Sequence, residues 1–228
     1  MALHHVYVSD LSAFSQAQAI DISGDEAHHA VRVKRLEVGD VLTLVDGKGR
    51  TLEGPISGVT KDRRTDGWRI TIDASAGIRS VARPASILTV FAAAPKGDRL
   101  DEMIDGLSQV GVAKWHPLLS KRSVVDPRPT KLDRLQRVAL ESMKQCGRAW
   151  VLEIGEPMAI TRVPMGRDTV VADGSGGPFT PGSIPSSGPS SLLIGPEGGL
   201  APEELAALRA AGCVVLAFGP HIMRCLLY

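Results

Sequence analysis

Up to about residue 80 the apolar positions fall in short alternating runs, of which Val41-Leu42-Thr43-Leu44-Val45 and Trp68-Arg69-Ile70-Thr71-Ile72 are the clearest. A period of two puts every second side chain on one face of a strand, and the segments Asp46-Gly47-Lys48-Gly49 and Asp62 to Gly67 suit reversals between strands. One helical stretch interrupts this pattern at about Asp25 to Leu36, with Ser23 or Asp25 available as N-cap and Gly39 beyond its end. Residues 1–75 therefore predict a small, mostly antiparallel β-barrel.

Residues 76–85 carry no periodicity and contain Pro84, which marks a linker. Beyond it the pattern changes. A buried-type strand, Ile87 to Ala92, leads into a helix at about Asp98 to Val110, whose Leu100, Ile104, Leu107 and Val110 share a face and whose stop is Gly111. A strand at Lys114 to Leu119 precedes a long helix, Lys131 to Arg148, with Leu132, Leu135, Ala139, Met143 and Cys146 on its apolar side. Strands at Val151 to Ile154, Thr169 to Ala172 and Leu192 to Ile194 follow, then a helix from Pro202 to Ala211 and a strand Val214 to Phe218. Strand and helix in alternation predict an α/β domain with a parallel sheet over residues 86–228. Gly174 to Ser191, rich in Gly, Ser and Pro, reads as a mobile loop.

Composition sharpens this picture by exclusion. A formal net charge of +1 and 43% hydrophobic residues describe an ordinary soluble globular chain. The 24 Gly and 15 Pro among 228 residues stay below the roughly 25–30% that marks low-complexity disorder. Cys146, Cys213 and Cys225 are far apart and lack CxxC spacing, which speaks against a disulfide framework or structural zinc and for a reducing, cytoplasmic setting. No basic segment with a following apolar stretch opens the chain, and no run of about 18 apolar residues occurs, so neither secretion nor a membrane span is expected. His28-His29 beside Asp25 and Glu26 lacks metal-ligand spacing, and no metal is expected.

Three features could carry chemistry. Leu192-Leu193-Ile194-Gly195-Pro196-Glu197-Gly198-Gly199-Leu200 is a buried strand running into a Gly-rich turn, the place where α/β sheets bind small molecules. A tight turn with no ligand explains that pattern about equally well. Phe218-Gly219-Pro220-His221-Ile222-Met223-Arg224 is a second Gly-Pro turn after a strand, with an Arg able to act as a fork donor, though the pattern alone favours a solvated charge. From Lys114 to Arg148 there are nine Lys or Arg against three Asp or Glu, suited to an RNA phosphate surface or to a solvated helix face. With nine aromatic residues in the chain, recognition by stacking many bases is poorly supported.

Several blocks then coincide in order: His28 to Arg35 with Gly39-Asp40, Lys96-Gly97-Asp98-Arg99, Gln145-Cys146-Gly147-Arg148, Ile194 to Gly199, and Gly219 to Arg224. Together they resemble the bacterial small-subunit ribosomal RNA uridine-N3 methyltransferases of the SPOUT class, over essentially the whole chain. The resemblance implies a PUA-like RNA-binding barrel, a SPOUT α/β domain with a C-terminal trefoil knot, and a homodimer acting on ribosomal RNA or the small ribosomal subunit. It implies S-adenosylmethionine as cofactor, held by Ile194, Gly195, Pro196, Glu197, Gly198 and Gly199 and by Leu216, Phe218, Gly219, Pro220 and Ile222. Arg32, Arg35, Lys96, Arg99 and Arg148 match the family's RNA-facing positions, and Arg224 is the candidate catalytic residue. The match departs at His221, usually Arg or Asn, at Gly106 and Gln109, usually Lys and Glu, and after Arg224, where Cys225-Leu226-Leu227-Tyr228 stands in place of a Thr-Glu-Thr-Ala-like stretch and a final helix. The altered tail is expected to weaken the cofactor site. The alternative reading is a noncatalytic RNA-binding protein.

Overall fold

The computed structural model describes residues 4–61, 67–84, 87–125, 129–180, 183 and 190–219. The chain divides into two units, one of residues 1–83 with 143–151, the other of residues 84–142 with 152–228. In the first, alternation becomes strand pairing: β1 (His5–Tyr7), β2 (Ala19–Ser23), β3 (Val41–Val45), β4 (Arg50–Lys61), β5 (Trp68–Asp73) and β6 (Arg79–Ser80). They form one sheet in the order β1-β3-β4-β5-β2, with β6 on β4, antiparallel except for β1 on β3. The long β4 gives its first half to β3 and its second half to β5, and a bulge between Ile56 and Gly58 adds the twist that lets one strand serve both. Ile20, Ile22, Leu42, Leu44, Leu52, Ile56, Ile70 and Ile72 point into a shared apolar core. The hydrogen-bonded path ends at β1 and β2, so the expected mostly antiparallel barrel is present as a curled sheet open between those edges. Within the segment expected as linker, Arg79 and Ser80 pair with Thr51 and Arg50.

The helix expected over Asp25 to Leu36 is shorter and of two kinds. A single α-helical turn, α1 (Asp25–His28), widens into a π-helical turn over His29–Val33. Its cap is Gly24, at φ +73°, rather than Ser23 or Asp25, because Ser23 is the last residue of β2 and pairs with Arg69. Arg35 adopts φ +57°, a left-handed conformation that turns the chain out before Leu36.

Residues 143–151 are zipped onto this unit. Gly49 N–H donates to Ala149 O at 2.9 Å and Val151 N–H to Gly47 O at 3.0 Å, while Lys144 Nζ meets Glu26 Oε1 at 2.7 Å. His5 lies under Gly147, and its Nδ1 is buried with no hydrogen-bond partner among the described residues. Burial, aided by neighbouring His4, lowers the His5 pKa, so the native state prefers the neutral ring. The unfolded chain then takes up the proton first as pH falls below about 6.5, and stability is lost through that window down to the depressed native value. Thermal unfolding midpoints should fall with pH below that point, and His5→Gln should flatten the dependence.

The second unit is built on parallel strands: β7 (Leu88–Ala92), β8 (Lys114–Leu119), β9 (Glu153–Ile154), β10 (Met158–Ala159), β11 (Thr169–Pro178), β12 (Ser190–Ile194) and β13 (Val214–Ala217). Their order is β10-β8-β7-β12-β11-β13, with β9 also on β8, and every pair is parallel. Continuous apolar runs such as Val90-Phe91-Ala92 are what strands covered on both faces require. Among the described residues the helices here are α2 (Arg99–Gln109), α3 (Pro129–Cys146, whose last turn belongs to the first unit) and α4 (Pro202–Ala210), the last packing Leu208 with Phe91, Leu118, Val171 and Leu193.

Four expectations need correction here. Val110 is not on the buried face of α2 but caps it, 73% exposed, because Gly111 turns the chain left-handed immediately afterwards; Met103 is buried instead. Cys146 ends α3 and is exposed rather than packed. The strand expected at Val151 to Ile154 is only Glu153–Ile154, since Val151 is hydrogen-bonded to Gly47. The mobile loop expected over Gly174 to Ser191 begins as the continuation of β11 and ends as the start of β12, with residues 181–182 and 184–189 outside the described residues. Low strand propensity of Gly and Ser hid this extension. The turn expected at Asp62 to Gly67 lies almost wholly outside the described residues. Among the described residues, no helix is long and apolar enough to cross a membrane.

Candidate functional site

A parallel sheet delivers all its carboxyl ends to one edge, and loops leaving that edge offer backbone groups to a ligand. In the second unit those loops follow β7, β8, β12 and β13. Ile194, the last residue of β12, pairs with both Ala92 and Ala172, and its carbonyl accepts from Ala93 N–H at 3.2 Å. The exits of β7 and β12 are thereby joined.

The Gly-rich turn has a defined shape. An added Cβ at Gly195 would lie 3.1 Å from the side chain of buried Leu200, a tight approach that any larger residue could make only if Leu200 shifted. Gly199 N–H donates to Pro196 O at 2.7 Å, closing a turn in which Gly199 takes φ +70°. Arg122, in the loop after β8, donates through Nη1 to Gly198 O at 2.7 Å and to Leu200 O at 3.3 Å. Among the described residues the N–H groups of Gly198 and Leu200 have no intrachain partner. Among the described residues, a Cβ at Gly199 would meet nothing within 4 Å, so the backbone there stands open.

The start of α4 locks this turn from behind. Buried Glu204 accepts from Ala201 N–H at 2.9 Å through one oxygen and from Lys121 N–H at 2.8 Å through the other. Lys121 and Glu203 form an exposed ion pair whose hydrogen bond raises the lysine pKa and lowers that of the glutamate. Glu204→Ala would orphan two backbone donors, each costing about 1–3 kcal/mol. Its thermal unfolding should show a loss of about 2–6 kcal/mol, with Glu204→Gln losing less.

The second expected loop begins at the end of β13. Leu216 is buried and pairs with both Ala172 and Gly177, so Asp173 to Gly176 bulge out of β11 between them. Phe218 stacks on Phe179 at 5.0 Å and 19°. Pro220, Ile222 and the candidate catalytic Arg224 lie outside the described residues, as do His221 and the tail after Arg224.

The expected basic residues divide between the units. Lys96 is exposed in the loop after β7, and Arg99, at the start of α2, reaches Glu197 of the Gly-rich turn at 3.6 Å. Arg32 and Arg35 are exposed beside the π-helical turn of the first unit. Arg148, half-buried in that unit, has its pKa lowered by desolvation, and a guanidinium so placed stays charged. Among the described residues no group of three or more His, Cys, Asp or Glu is arranged to hold a metal. Sequence reasoning missed Arg122, Glu204 as a double acceptor, and the close approach of Gly176 to β13. For Arg122 the only local signal was its place three residues beyond a strand end in a basic stretch.

Residues 83–226 match the family described as the RNA methyltransferase domain, and residues 22–63 match the RNA methyltransferase PUA domain. The chain is 28% identical over 234 residues to Ribosomal RNA small subunit methyltransferase E of Mycobacterium tuberculosis, covering 96% of this chain and 85% of that protein. It is 29% identical over 227 residues to the protein of the same name from Bacillus subtilis, covering 92% and 86%. Among solved structures, a probable rRNA-methyltransferase from Porphyromonas gingivalis superimposes with a TM-score of 0.76 at 28% identity, over 97% of this chain and 92% of that one. The fold is also shared with Ribosomal RNA small subunit methyltransferase E from Neisseria gonorrhoeae bound to S-adenosyl methionine, with a TM-score of 0.78 at 19% identity over 98% and 92%. The match spans most of the chain and takes in the Gly-rich turn and the loop after β13: this chain belongs to the RNA methyltransferase domain family.

Proposed function

We propose that this chain is an S-adenosylmethionine-dependent methyltransferase that modifies uridine N3 in small-subunit ribosomal RNA. The observation that carries this reading is the braced Gly-rich turn at the carboxyl edge of a parallel sheet, inside the segment that matches the RNA methyltransferase domain. The relatives named for action on small-subunit ribosomal RNA support the substrate class, and the uridine N3 position rests on the resemblance.

The cofactor fits the residues present. An adenine edge needs hydrogen-bond donors with no side chain in the way, and the N–H groups of Gly198 and Leu200, unbonded among the described residues and beside open space at Gly199, suit that. Ile194 to Gly199 and Leu216, Phe218, Gly219, Pro220 and Ile222 would hold it, in a SPOUT arrangement whose chain threads a trefoil knot. When bound, S-adenosylmethionine supplies a methyl group on a sulfonium, open to in-line attack.

The chain's own residues then bind, orient and stabilise charge. The first unit, built on residues 1–75, is the PUA-like RNA-binding part, and the second unit is the methyltransferase domain. Arg32, Arg35, Lys96, Arg99 and Arg148 pair with RNA phosphates, so affinity falls as salt rises. Uridine N3 lies on the Watson-Crick edge, and the target base is unpaired or turned out of its stack when it reacts. As the N3 proton passes to water, negative charge spreads over N3 and its two flanking carbonyl oxygens, and the Arg224 guanidinium stabilises it. The chain works in the cytoplasm as a homodimer. Calorimetric titration with S-adenosylmethionine and its demethylated product, with light scattering for the oligomeric state, tests this: saturable binding by a dimer is expected, and a folded chain that binds neither would overturn it.

A further inference from the structure

We infer that Arg122 is a positioning residue for the cofactor site: its guanidinium fixes the peptide planes of the Gly-rich turn so that the turn's free amides face the ligand. This rests on the function proposed above. The two carbonyls that Arg122 holds belong to alternate peptides. The Gly198–Gly199 peptide has its C=O on Arg122 and its N–H on Pro196 O. The Leu200–Ala201 peptide has its C=O on Arg122 and its N–H on Glu204. Each is therefore fixed at both ends. The peptides beside them, which carry the N–H groups of Gly198 and Leu200, are oriented by their neighbours yet left unbonded among the described residues.

Arg122 is itself held firmly enough to act as a brace. Ser123 N–H donates to Ser120 O at 3.1 Å, Ser120 N–H to Ser123 Oγ at 2.9 Å, and Ser123 Oγ to Leu118 O at 3.1 Å. Lys121 N–H is tied to Glu204 at 2.8 Å. An arginine that was merely solvated would not place one nitrogen on two carbonyls flanking a left-handed glycine. The need for a brace follows from composition. A turn with glycines at 195, 198 and 199 has many accessible conformations, and apparent affinity falls by whatever fraction of them can bind. Charge-assisted bonds from a fixed fork narrow that ensemble before the ligand arrives.

The test compares the wild-type chain with Arg122→Met, which keeps the apolar stem, Arg122→Lys, which keeps one donor group, and Lys114→Met, which removes an exposed charge at the opposite, amino end of β8. Calorimetry with S-adenosylmethionine should show an affinity loss of about tenfold for Arg122→Met, with partial recovery in Arg122→Lys and none lost in Lys114→Met. KM for the cofactor should rise in parallel while kcat at saturation stays within about twofold. Amide exchange at residues 198–201 should accelerate in Arg122→Met with the unfolding midpoint nearly unchanged. Unchanged affinity and unchanged exchange would overturn the brace, as would a loss of kcat with KM intact. A wild-type chain that binds no cofactor would overturn the function reading instead, and the exchange rates would still decide whether Arg122 orders the turn.

Discussion

Gly176→Ala is expected to cost about 2–3 kcal/mol of stability in the second unit and to slow methyl transfer about 100-fold. A Cβ at this position would lie 2.5 Å from Val215 O and 2.6 Å from Leu216 N, both backbone atoms of β13 that no rotamer change can move aside. Either β11 or β13 must shift, and the register in which Leu216 pairs with Ala172 and then Gly177 is lost. β13 leads directly to Phe218 and Gly219, so a displacement there moves one wall of the proposed cofactor site. Gly177→Ala is the internal control, because its added Cβ would meet nothing within 4 Å. Thermal unfolding and initial rates on the two variants check this. Wild-type behaviour in Gly176→Ala would mean that the β11 extension does not constrain the loop.

Arg224→Ala should lower the methylation rate about 100- to 1000-fold, the usual loss when one preorganised donor to a developing anion is removed. Cofactor affinity should change little if the guanidinium acts on the base rather than on the sulfonium. Arg224→Lys should recover only part of the rate, since an ammonium replaces a planar fork with a point charge. Single-turnover rates at saturating cofactor and RNA isolate this step. A variant that keeps the rate but loses cofactor affinity would move Arg224 from catalysis to binding.

How much of this was legible in the sequence depended on where the determining contacts lie. The spacing of Leu100, Ile104 and Leu107, the alternation through β3 and β5, and the Pro202 start of α4 are local signals, and the structure has those elements where the pattern put them. The Gly-rich turn was visible because a tight strand-to-helix turn needs glycine at fixed places. Pattern alone left its purpose evenly divided, and the ordered match of five blocks pointed to a methyltransferase. The strand extension through Gly174 to Pro178 was hidden, since its stability comes from pairing with β13 and not from its own residues. Residues 143–151 pack with the first unit through Lys144, Ala149 and Val151, contacts with residues far earlier in the chain that no window of sequence contains. Arg122 is 76 residues from the carbonyl it holds, and nothing in its neighbours distinguishes it from a solvated surface arginine.

The carboxyl edge of the second unit's sheet is the proposed site of methyl transfer to small-subunit ribosomal RNA. The decisive experiment incubates the purified chain and S-adenosylmethionine with small ribosomal subunits that lack the modification, then digests the RNA to nucleosides for mass analysis. The expected new product is 3-methyluridine, formed about 100- to 1000-fold more slowly when Arg224→Ala replaces the wild type. A methyl group on a ribose or on another base, or no methylated nucleoside from a folded, cofactor-bound chain, would contradict that assignment.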